Sequence, residues 1–97
     1  MRDTKHTPGP WHADQSTDGG WAIVPTEGFL IAVMAQVPPE RIEPNARLIA
    51  AAPDLLDALR ALVNITMHPQ ATKADIRMIA NEARAAIARA EGREDAQ

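Results

Sequence analysis

Proline and glycine divide this chain at residue 45. Six of its eight prolines and four of its five glycines lie in the first 44 residues, together with all three aromatic side chains, Trp11, Trp21 and Phe29. Residues 45–91 contain no glycine and only Pro53 and Pro69. Proline removes a backbone donor and fixes φ, and glycine supplies turns, so the first part is limited to short segments broken by reversals. The second part is free to form helices.

Short strands fit the first part. Trp11 to Gln15 follows the rigid Pro8-Gly9-Pro10 lead-in, and Ser16 to Gly20 is a turn cluster ending in Asp18-Gly19-Gly20, a hairpin signal. Trp21 to Val24 is the next strand, stopped by Pro25, and Thr26-Glu27-Gly28 turns the chain again. Phe29 to Val37, the most apolar stretch, reads as a third strand closed by Pro38-Pro39. A three-stranded antiparallel meander of this size has one face that needs a cover.

Helical spacing supplies it. Asn45 suits an N-cap for a helix through Ala52, and Pro53 and Asp54 suit the first turn of another. Leu55, Leu56, Leu59, Leu62 and Val63 recur at 3.6-residue spacing, and His68-Pro69-Gln70 ends that run. Thr72 to Asp75 resembles a capping box, Ile76, Ile79, Ala80, Ala83, Ile87 and Ala90 form a second stripe, and Gly92 is a C-terminal stop. Leu59 and Ile87, central in their stripes, are expected to be buried. The expected fold is α+β: a small three-stranded antiparallel sheet followed by two or three helices packed on one face. It is one domain over 1–97, with an extended arm at 1–10, a sheet region at 11–44, a helical region at 45–91 and a polar tail at 92–97.

Composition excludes several chemistries. Without cysteine there is no disulfide, thiolate metal site or cysteine nucleophile. The longest apolar run is seven residues, Phe29 to Ala35, where a membrane-spanning helix needs about 20. No secretory signal is read at the N-terminus, whose first ten residues are polar and broken by Pro8 and Pro10. The net charge of −3 does not favour non-specific DNA binding. His6, His12 and His68 show no metal-ligand spacing, Ser16 has no nucleophile-elbow setting, and the glycines form no phosphate loop. The expectation is therefore no catalytic residue, no metal and no cofactor.

What remains is charge distribution. Residues 1–44 hold six acidic and three basic side chains, whereas residues 45–91 hold six basic and five acidic ones. Asp14, Asp18 and Glu27 are the candidate contacts for a basic partner. Arg47, Arg77 and Arg84 are the candidates for an acidic partner or a phosphate, with Lys73 on the same side of the last helix. Arg47 either pairs with an acid of the sheet region or reaches a ligand. Trp11 and Trp21 fit core caps, or platforms for a base.

Two segments carry a resemblance. Thr7-Pro8-Gly9-Pro10-Trp11 and Asn45-Ala46-Arg47-Leu48-Ile49-Ala50-Ala51-Ala52-Pro53-Asp54-Leu55-Leu56 resemble a widespread set of small phage and prophage proteins, in which the first motif precedes a short β region and the second opens a helical one. The resemblance implies a bacterial host and a cytoplasmic location, and brings no catalytic residue. Three classes of function stay open. One is stoichiometric inhibition of a host defence protein or nucleoprotein complex, anti-CRISPR-like. A second is an oligomeric sponge for a nucleotide immune signal. The third is a phage structural or replication accessory protein. A homodimer would add buried area to so small a core.

Overall fold

The computed structural model describes residues 6–16, 20–28, 30–34 and 39–93. Strands β1 (Trp11–Gln15), β2 (Trp21–Pro25) and β3 (Ala32–Val33) form an antiparallel sheet in the order β1-β2-β3. Helices α1 (Pro39–Ala50), α2 (Ala52–Thr66) and α3 (Lys73–Ala90) follow. The α+β architecture is the one expected, with three helices.

Alternation sets the sheet's two faces. Trp11 pairs with Pro25, Ala13 with Ile23 and Gln15 with Trp21. The inward residues of this set meet α1, while His12 and Asp14 are exposed. Ser16 N–H donates to the Gly20 carbonyl at 2.7 Å, closing the hairpin. Asp18 lies outside the described residues. The third strand is much shorter than the expected 29–37, of which Phe29 and 35–38 also lie outside them. Its pairing runs from Ile31 N–H on the Ile23 carbonyl (2.8 Å) to Met34 N–H on the Trp21 carbonyl (2.9 Å). Strand β2 is only five residues long and ends at Pro25, which has no N–H to offer, so β3 has little to pair with.

Helix α1 starts at Pro39, and Asn45 is an exposed interior residue rather than an N-cap. Pro39 pre-sets φ at the first helical position and Glu40 suits the positive end. Pro44, also inside the helix, forfeits one rung, to the Glu40 carbonyl, at an exposed position. Burial of Ala46 and Ala50 on the sheet holds the helix through it. The chain then breaks at Ala51, whose N–H is shared between the Arg47 and Leu48 carbonyls. Pro53 accounts for the break, because it sits in the first turn of α2 without a donor for the preceding turn.

The ends of α3 follow local rules. Thr72 Oγ1 accepts from Asp75 N–H and the Asp75 carboxylate accepts from Thr72 N–H, both at 3.1 Å, a complete capping box. At the other end Gly92 has φ 77°, and Arg93 N–H reaches the Ala88 carbonyl while Gly92 N–H reaches that of Arg89, a Schellman stop.

The core is small. Ile23, Ala46 and Ala50 are buried, with Trp11, Trp21, Ile31, Met34 and Ile49 packed around them. The tryptophans thus cap the core. Helix α1 covers the sheet, α3 lies against α1, and α2 packs chiefly on α3. Leu59 and Ile87 are not buried: 59% and 45% of their surface stays accessible. Among the described residues the hairpin of α2 and α3 packs on α1 rather than on the strands, and nothing covers its outer surface.

Candidate functional site

The two sequence motifs meet in space. Gly9, in the arm before β1, lies against Pro53 at the start of α2: a Cβ placed on Gly9 would fall 2.8 Å from Pro53 Cβ and 3.2 Å from its Cγ. The contact exists only because residue 9 has no side chain. Beside it, Arg89 from the last turn of α3 bonds the Asp54 carboxylate and donates through Nη2 to the Trp11 carbonyl at 2.7 Å. One guanidinium therefore ties α3 to the start of α2 and to the free edge of β1. Charged, two-point donation of this kind is what arginine geometry suits.

These contacts shape a cleft of about 810 Å³ between the lead-in to β1 and the helical hairpin, lined by Pro10, His12, Asp54, Asp57, Glu82 and Arg89 with three alanines, Ala58, Ala85 and Ala86. Asp54 is occupied by Arg89, whereas Asp57 and Glu82 are exposed and have no hydrogen-bond or ion-pair partner among the described residues. A smaller hollow of about 260 Å³ shares His12 and Arg89 and adds Asp14 and Arg47. Among the described residues no group of three or more histidines and carboxylates could hold a metal ion.

The residues singled out in the sequence divide between places. Asp14 and Arg47 line the smaller hollow together. Glu27 is exposed in the turn after β2, and Asp18 lies outside the described residues. Arg47 does pair with an acid of the 11–44 region, but one that stands on α1 and not on a strand: its Nε donates to Glu43 one turn earlier at 3.0 Å, its stem lies beside Gly92, and 42% of its side chain stays accessible. Arg77 and Arg84 share a groove of about 410 Å³ on α3 with Lys73. Sequence reasoning missed the cleft because Arg89 and Asp54 are 35 residues apart and Arg89 and Trp11 are 78 apart. Asp54 and Asp57 stand three residues apart in the sequence, but a position at the start of a helix accounts for both without Glu82.

The family of Salmonella phage P22 protein Y8K6 matches residues 1–94. The chain belongs to this phage protein family. The match takes in the arm, the sheet and all three helices, so every cleft residue lies within the range matched by the Y8K6 family. No curated protein and no solved structure matches the chain. Among the described residues of this family member, no helix is long and apolar enough to cross a membrane.

Proposed function

We propose that this phage protein acts in the host cytoplasm without catalytic turnover, as a stoichiometric inhibitor of a host defence complex, anti-CRISPR-like, that presents carboxylates to a basic protein or nucleoprotein surface. The observation that carries this reading is a pair of exposed carboxylates, Asp57 from α2 and Glu82 from α3, that have no partner among the described residues and line one cleft. Asp14 adds a third exposed carboxylate at the adjoining hollow. A rigid arrangement of exposed negative charge steers a protein to a cationic groove and is weakened by salt. The cationic groove of Lys73, Arg77 and Arg84 favours a second reading, a sponge for a phosphate-bearing nucleotide signal.

The test is capture of host proteins by tagged wild-type protein and by the Asp57→Lys/Glu82→Lys variant, with plaque assays on a host carrying the identified defence system. The expected result is one complex retained by wild type, lost from the variant and lost at raised salt. Equal capture by both proteins would overturn the reading, as would inhibition at protein levels far below those of the target. Calorimetry with cyclic nucleotides separates the sponge: heat that disappears in Arg77→Ala/Arg84→Ala would establish it instead.

A further inference from the structure

We propose that two copies of this chain associate through the outer face of the α2–α3 hairpin into a four-helix bundle. This goes beyond the inhibitor reading and uses the opposite side of the hairpin from the cleft.

The Asp54–Arg89 pair shows that α2 and α3 run antiparallel, with the start of one level with the end of the other. Successive helical residues turn by about 100°. Ala58, Leu62 and Ile65 of α2 and Ile79, Ala86 and Ala90 of α3 mark the covered sides of the two helices. Rotating one way from those lines brings Asp54 and Asp57 of α2 and Glu82 and Arg89 of α3 onto one face, and these do line one cleft. Rotating the other way brings Leu59 and Val63 of α2 and Ile76, Ala80 and Ile87 of α3 onto the opposite face. There Leu59 and Val63 are each 59% exposed, Ile76 47% and Ile87 45%. Met67, at the end of α2, extends the strip.

Area and self-fit point to a second copy. Ile23 is the one large side chain fully buried among the described residues. The hairpin face, about 22 Å along α2 and about 20 Å across two helices, has a footprint of about 440 Å² per partner, the size of a weak, reversible contact, and it carries four of the large exposed apolar side chains, Leu59, Val63, Ile76 and Ile87. A two-fold axis along the helices sets α2 of one copy on α3 of the other. With residues 54 and 89 level, Val63 then meets Ala80, large on small, and Leu59 lies level with Arg84, one position from Ala83. Ile87 and Ile76 meet Leu56 and Met67 at the two ends. One patch thereby complements itself, as a two-fold contact requires, in the geometry of a helical bundle. Arg60 borders the strip beside Leu59 and Val63, and Lys73, Arg77 and Arg84 border it in the groove that Ile76 and Ala80 also line. They face their like across the seam, so added salt tightens the pair.

Sedimentation equilibrium of the full chain tests this. The expected species is twice the 10.5 kDa chain mass, tighter at higher salt, with Leu59→Asp raising the dissociation constant at least about 100-fold while circular dichroism stays helical. Because the chain has no cysteine, a Val63→Cys/Ala80→Cys variant should form a disulfide-linked dimer, and Asp57→Cys/Glu82→Cys should not. A chain that remains monomeric at hundred-micromolar concentration would overturn the proposal, and would point to a different protein as the occupant of this face. A dimer indifferent to Leu59→Asp and unlinked by the Val63/Ala80 cysteines would overturn it equally. Failure here leaves the inhibitor reading intact, since that rests on Asp57 and Glu82.

Discussion

Replacing Gly9 with alanine tests how the arm is seated. The new methyl carbon would sit 2.8 Å from Pro53 Cβ and 3.2 Å from Cγ, where non-bonded carbons prefer about 3.5–4.0 Å. Pro53 is buried and its ring cannot turn aside, so the arm must retreat by more than half an ångström. Gly9 is not among the glycines with positive φ, so alanine meets no backbone penalty, and its lower unfolded-state entropy offsets about 0.4–1 kcal/mol. Overpacking costs about 1–3 kcal/mol. The same retreat stretches the 2.7 Å bond from Arg89 to the Trp11 carbonyl, a charge-assisted bond worth about 1.5–3 kcal/mol if lost outright, less where water replaces it. The expected net loss is about 2 kcal/mol. Equilibrium urea unfolding, followed by the fluorescence of Trp11 and Trp21 at one fixed protein concentration, should show a midpoint lowered by roughly 1–2 M. In a Pro53→Gly background both opposing carbons are gone, and the effect of Gly9→Ala should shrink by at least about 1 kcal/mol. If Gly9→Ala changes stability by less than about 0.3 kcal/mol, or costs as much in the Pro53→Gly background, the arm is not seated on Pro53.

Four further substitutions probe the same framework. Arg89→Met removes the link between Asp54 and the Trp11 carbonyl and should cost about 2–3 kcal/mol in urea unfolding. Arg93→Ala, which loses only the exposed Glu91 pair, should stay within about 0.5 kcal/mol. Thr72→Ala breaks the capping box on α3 and should lower stability by about 1 kcal/mol, with thermal melting by circular dichroism as the readout. Leu59→Ala, expected from its stripe to cost about 2–5 kcal/mol, should instead cost under about 1 kcal/mol at high dilution because the side chain is mostly exposed. A loss above about 2 kcal/mol at high dilution would show that Leu59 is covered within one chain.

What the sequence alone determined was set by neighbours along the chain. The hairpin around Ser16 and Gly20, the capping box at Thr72, the stop at Gly92 and the placement of Pro53 in a first helical turn all depend on residues within five positions of one another. Such features are legible because their energies are local. Where local propensity met burial, burial prevailed: Pro44 and Asn45 read as a helix boundary, yet seating Ala46 and Ala50 on Ile23 carries α1 back to Pro39. The cleft was not legible at all, since Gly9 with Pro53, Asp54 with Arg89, and Arg89 with Trp11 join segments that no periodicity relates. The apolar stripes of α2 and α3 were visible, but not which part of each faces its neighbour. Spacing marks the residues that avoid water, whereas only the packing of the two helices decides that Leu62 and Ile79 are partly covered and that Leu59 and Ile87 are left in the open. The α2 stripe is wider than one neighbouring helix can cover, so its remainder stays in water until something else packs on it.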